Sequence, residues 1–135
     1  FTLNDVINNK SQPHLIRMDV EGHEVEILSQ LVQLTKNNGI SPNVIFETHL
    51  SRYTKQNDFA PVLRELFDVG YRVVKAASSN ESGTKKVSAL GYKVPDPFYS
   101  DFGHRVIFEN IGNEDAIKLI CGTGGLRTIL LSIIQ

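Results

Sequence analysis

The chain has 135 residues, 41% of them apolar and 21% charged, and a net charge of −1, which is enough for one domain with a real core. No Lys/Arg block stands out, which argues against nucleic acid as a partner, and the most apolar stretch, LRTILLSIIQ, is too short to span a bilayer and contains an arginine. The single cysteine, Cys121, has no internal disulfide partner, and with no signal peptide in view the expected setting is reducing and cytoplasmic.

The chain opens at Phe1 without a methionine and runs straight into helix-like sequence, which suggests a fragment. Thr2 followed by Asp5 has capping-box spacing and predicts a short helix around residues 3–9, ended by Asn-rich sequence and Pro13. HLIRMD at 14–19 reads as a short buried strand. From about 22 to 37, Val25, Leu28, Leu31 and Val32 fall at helical spacing, and Gly39 terminates that helix. NVIFETH at 43–49 reads as a second strand. Phe59, Val62, Leu63, Leu66 and Phe67 mark an amphipathic helix, and YRVVKA at 71–76 is a third strand.

Residues 77–102 are rich in Ser, Gly, Lys, Pro and Asp, and read as a mobile surface loop or small hairpin in which only KKVSAL hints at order. Phe98 and Tyr99 within it could stack on a sugar-like ligand, so a lid over the ligand edge is expected. HRVIFEN at 104–110 is a fourth strand, and Asn113 caps a helix with Glu114 and Asp115 in its first turn. The pattern at 126–134 leaves helix and strand both open. The GTGG at 122–125 lacks the strand-before, helix-after context of a phosphate loop and reads as a helix terminator. Strands alternating with helices predict a mainly parallel sheet with helices on both faces, the third and fourth strands being antiparallel. One partial domain over 1–135 is expected, with no internal repeat.

In an open parallel sheet, ligands bind beyond the carboxyl ends of the strands. The first strand ends in Asp19, followed by Glu21, His23 and Glu24, and the second ends in Glu47, Thr48 and His49. As neighbours, the two strands bring these clusters to one edge. Period-two alternation puts Arg17 with Asp19 on one face, and Glu47 with His49 on one face. Such a rim could hold a divalent cation or deprotonate a hydroxyl. No metal ligand is assigned, and the cation stays an option. The other readings are structural: Asp19 as an N-cap, Glu21 as a first-turn dipole partner, His23 as a solvated helix residue, Arg17 as the neutraliser of Asp19. His14, at a strand start, reads as structural. His104 would lie at the ligand edge if its strand is antiparallel. Glu47 and His49 have no local capping task.

FTLNDVI, LIRMDVEGHEVEIL and NVIFETH together resemble the C-terminal half of the FkbM-type methyltransferases, over about residues 1–75. Arg17 stands where that family has lysine, ahead of Asp19-Val20-Glu21-Gly22-His23-Glu24. The resemblance implies the C-terminal half of a Rossmann-like class I methyltransferase, with an antiparallel final strand. It implies methyl transfer from S-adenosylmethionine to a hydroxyl of a sugar or natural product. Asp19 and Glu21 would be catalytic, Asp19 would also face the cofactor, and Glu47, His49 and His23 would bind the small-molecule acceptor. The family's glycine-rich donor loop and ribose-binding acid have no counterpart within these residues, so the isolated chain is expected to be inactive and not to bind the donor measurably. The alternative is a non-catalytic α/β module that pairs through an exposed sheet edge. A homo-oligomer is expected in either case, joined edge to edge through 14–19 or covered by the 126–135 tail.

Overall fold

The fold is described from a computed structural model covering residues 15–100 and 103–133. The predicted helix at 3–9 and His14 lie outside the described residues. Strand β1 (Leu15–Met18) leads through a tight turn into helix α1 (Glu24–Asn38) and then strand β2 (Asn43–Glu47). Two single 3-10 turns, Leu50–Arg52 and Lys55–Asn57, precede helix α2 (Phe59–Asp68) and strand β3 (Tyr71–Ser78). Helix α3 (Glu81–Ser88) and the hairpin β4 (Phe98–Ser100) and β5 (Gly103–Arg105) come next. Strand β6 (Ile107–Ile111), the short helix α4 (Asn113–Ile117) with its π-helical extension, and strand β7 (Leu126–Ile133) complete the described residues.

Each helix forms where the sequence stores the local signals. Gly39 ends α1 in the left-handed conformation at φ 67°, its N–H returning to the Thr35 carbonyl. Asp58 caps α2, accepting from the Ala60 N–H. The stripe Phe59, Leu63, Leu66 and Phe67 is buried. Burial alternates along β2, where Val44 and Phe46 are wholly buried and Ile45 and Glu47 only partly. Val44 and Phe46 therefore face the layer made by α1, α2 and α4, with Ile129 and Leu131 of β7 beside them. Phe46 and Phe59 meet edge to face at 5.6 Å.

The main sheet has the order β1-β2-β7-β3-β6. β1 and β2 are parallel neighbours, Arg17 opposite Ile45, as the short helical connection between them requires. β3 and β6 pair antiparallel, as expected of the third and fourth strands. The expectation of a mainly parallel sheet needs correcting. Of the four strand pairings only β1–β2 is parallel, and the sheet is mixed. The cause is β7, which inserts between β2 and β3 and runs antiparallel to both. β1, β2 and β3 still point the same way, so their carboxyl ends share one edge.

The open reading at 126–134 resolves as strand, and this is the central strand of the sheet. A tail at 126–135 free to cover another surface is therefore excluded, since Leu126–Ile133 is hydrogen-bonded on both sides. The segment 77–102 is also more ordered than its composition implies. Asn80 caps α3 through its side chain, accepting from the Gly83 N–H. Gly83 allows α3 to approach the start of β7 closely, because a Cβ there would run into the Gly125 carbonyl oxygen. Helices α1, α2 and α4 share one face. Among the described residues, the opposite face leaves Leu15 52% and Ile107 45% exposed.

Candidate active site

The turn after β1 is built by two residues with positive φ, Glu21 at 49° and Gly22 at 99°. Gly22 has a second reason to lack a side chain: a Cβ would lie 2.7 Å from Cβ of Arg52. The Asn57 side chain donates to the Gly22 carbonyl and to the Arg52 carbonyl, which ties this turn to the segment after β2. The two strand ends are thereby held together.

What they hold is a chain of four side chains. The Glu24 carboxylate, in the first turn of α1, is wholly buried. It accepts from the Gly22 N–H at 2.8 Å and from the Tyr53 hydroxyl at 2.6 Å, and it lies 3.1 Å from Nδ1 of His49. Nε2 of the same ring lies 3.1 Å from Oδ1 of Asp19. His49 is 15% exposed and Asp19 60%. The series thus runs outward from a buried carboxylate through an imidazole to an exposed carboxylate at the rim. Tyr53 also accepts the His49 backbone N–H at 2.9 Å. Burial, and then the bond to Glu24, push the Tyr53 phenol above its ordinary range, so it stays a donor.

A buried carboxylate without partners would be costly, and Glu24 has three. Both nitrogens of His49 face carboxylate oxygens, an arrangement fully satisfied when each nitrogen carries a proton. Chemically, the cluster can hold a proton on the ring and exchange it at the Asp19 end.

The other predicted residues are placed differently. Asp19 does not act as the α1 cap: His23 holds the N-cap position, with no side-chain capping bond, and is exposed. Glu21 is 76% exposed and 3.8 Å from an Arg52 guanidinium nitrogen, apart from the cluster. Glu47 and His49 part company, against the alternation expected of a longer strand. β2 ends at Glu47, and His49 leaves the strand at φ −135°, ψ 70°. Glu47 instead accepts from Thr128 at 2.9 Å and meets Arg127 at 3.3 Å, while Arg105 donates to Thr128 and to the Ser78 carbonyl. Arg17 is exposed on β1. His104 lies in the β4–β5 hairpin and lines a 250 Å³ hollow with Glu81, Thr84 and Lys85.

Two members of the cluster were given no role by sequence reasoning. Glu24 was named in the polar cluster after the first strand but assigned nothing; its signal is that i−2 is Gly22, whose N–H it accepts. Tyr53 lies in an aperiodic segment with no signal. The GTGG stretch bears out its reading as a terminator: it follows the π-helical turn and opens β7. Among the described residues, no group of three or more His, Cys, Asp or Glu could hold a metal ion. None of them forms a helix long and apolar enough to cross a membrane. A 540 Å³ surface depression lined by Tyr92, Lys93, Val94, Pro95, Asp96, Phe108 and Glu109 shares no residue with the cluster.

No curated protein and no solved structure matches the chain. The family model described as Methyltransferase FkbM domain matches residues 1–73, more than half of the sequence and the whole span from the Asp19 turn through Tyr53. The chain belongs to the FkbM methyltransferase domain family.

Proposed function

We propose that this chain forms the acceptor side of an S-adenosylmethionine-dependent O-methyltransferase acting on a hydroxyl of a sugar or natural product. Its fold is read as the C-terminal half of a Rossmann-like class I methyltransferase. Three co-directional strands with an antiparallel final strand among them support that reading. One observation carries the function: Asp19 and His49 meet at 3.1 Å beyond the carboxyl ends of two adjacent parallel strands. That is where ligands bind in open α/β sheets. The donor supplies a methyl group on a cationic sulfonium, and an exposed carboxylate such as Asp19 suits a positive charge. Asp19 then faces the donor, and His49 and Glu47 the acceptor. Glu21 and His23, exposed on the same turn, are rim residues within reach of a bulky acceptor.

The test is transfer of radiolabelled methyl from S-adenosylmethionine to a panel of sugars and polyols by a protein that carries the donor-binding half together with these residues, comparing wild type with Asp19→Asn. Turnover is expected to fall about 100-fold or more with little change in thermal stability. Equal turnover in both proteins, or parallel losses of turnover and stability, would sink the assignment.

A second reading, a module that pairs with a further copy of itself, is supported by the position of β1 at the sheet edge and by the exposure of Leu15. Light scattering on an eluting peak decides it. A dimer lost on Leu15→Lys supports pairing through β1, and a monomer at all concentrations removes it.

A further inference from the structure

The geometry points to His49 as the group that takes the acceptor hydroxyl's proton at Nε2, with buried Glu24 as its positioning residue. This rests on the methyl-transfer reading. A hydroxyl attacks poorly while it keeps its proton, and a nearby base removes that barrier. Glu24 is suited to orient such a base because it cannot move: the Gly22 N–H holds one oxygen and the Tyr53 hydroxyl the other. The held oxygen faces Nδ1 at 3.1 Å, which fixes the ring so that Nε2 looks toward the rim. Tyr53 anchors both ends of this contact, since it also accepts the His49 backbone N–H.

At the rim Nε2 meets Asp19, which is 60% exposed and can turn to solvent at little cost. With Asp19 turned away, the neutral ring keeps its proton on Nδ1, held by Glu24, and offers the Nε2 lone pair. A hydroxyl can then take the place of the Asp19 oxygen within hydrogen-bond distance. In the step, the hydroxyl oxygen bonds the methyl carbon, the carbon–sulfur bond breaks with its electron pair going to sulfur, and the hydroxyl proton moves to Nε2. The imidazolium so formed carries two N–H groups: Nδ1–H donates to Glu24, and Nε2–H meets Asp19 once the methylated product has left. The charged groups facing the ring are Asp19 from the turn after β1 and Glu24 from α1. Arg52 is directed to Glu21 instead.

The test has two readouts. In nitrogen-15 NMR of the chain, His49 is expected to show a downfield, slowly exchanging Nδ1 proton in the wild type and in Asp19→Asn. In Glu24→Gln that resonance should move upfield and exchange faster. If Glu24→Gln does not fold, Tyr53→Phe replaces it and should move the same resonance less. In methyl-transfer assays on the same polyol panel, with the protein that carries both halves, His49→Gln and Glu24→Gln should each lower kcat about 100-fold or more. KM should stay within about threefold, and the double variant should be no worse than His49→Gln alone. A ring proton unmoved by these substitutions overturns the positioning role of Glu24, and a wild-type kcat in His49→Gln overturns the proton-accepting role. Absence of methyl transfer by the wild-type protein that carries both halves overturns the functional reading instead, and the NMR arm still decides the Glu24–His49 pairing.

Discussion

Gly22 is where one missing side chain lets two chain segments meet. It adopts φ 99°, and a Cβ would lie 2.7 Å from Cβ of Arg52, a rigid neighbour rather than a flexible tip. Gly22→Ala is therefore strained twice and is expected to cost about 1–3 kcal/mol in urea unfolding. It should also disturb the Glu24 carboxylate, which accepts the Gly22 N–H. A stability unchanged within a few tenths of a kcal/mol would show that the turn has another way to close. Half of the site was legible at this scale. Asp19 and His49 could be found because strand ends in an open sheet collect ligand-facing groups. Glu24 was in view beside Asp19, but its burial was not, because a helical carboxylate looks alike in sequence whether solvated or buried. Tyr53 contributes through a tertiary contact that no local pattern encodes.

At the scale of elements, the short local signals were reliable and the long-range ones were not. α1, α2 and the first three strands fall where periodicity and Gly39 put them. α3 was missed because ESGTKKVS has a weak apolar stripe, and its stability comes from the Asn80 cap and the Gly83 approach to Gly125. Residues 77–102 were expected to lie over the ligand edge, and their end does: Arg105, 5.7 Å from the Phe98 ring centroid, donates to the Ser78 carbonyl at the end of β3. The middle of the segment does not. Tyr92 instead donates to Asp115 at 2.6 Å and accepts from the Gly112 N–H at 2.8 Å. Those partners follow β6, which runs antiparallel to β3, so they sit at the edge opposite the Asp19–His49 cluster. Tyr92→Phe removes both bonds and is expected to lower stability by about 1–2 kcal/mol. It should leave methyl transfer unchanged, because nothing at the cluster is touched. A loss of activity at full stability would instead return this segment to the role of a lid.

Over the whole molecule, two buried phenols set an upper pH limit. Burial pushes Tyr71 up to about 12 and raises Tyr53 as well. In the unfolded chain both titrate near 10, so folding favours their protonated forms. Their contribution is fully present below about pH 10 and is lost as pH rises through the folded-state value, about 12 for Tyr71. Melting temperatures followed from pH 8 upward should fall steeply above about pH 10; a flat profile to pH 12 would mean that other groups compensate. The larger structural commitment is β7. The last segment of the chain closes the sheet between β2 and β3, which makes the fold depend on its most sequence-distant pairing. Leu126, Ile129 and Leu131 of this strand are 2%, 0% and 0% exposed. At about 1.5–3 kcal/mol for each buried side chain, their loss costs roughly 5–9 kcal/mol, comparable with the whole stability of a small domain. Removing them also leaves the facing edges of β2 and β3 unpaired, along with the Thr128 contact to Glu47. Truncation after Gly125 is therefore expected to abolish the cooperative thermal transition and the near-ultraviolet circular dichroism, not merely to change assembly state. A truncated chain that still melts cooperatively would mean that β2 and β3 can pair without β7, and would remove the central strand from this account of the sheet.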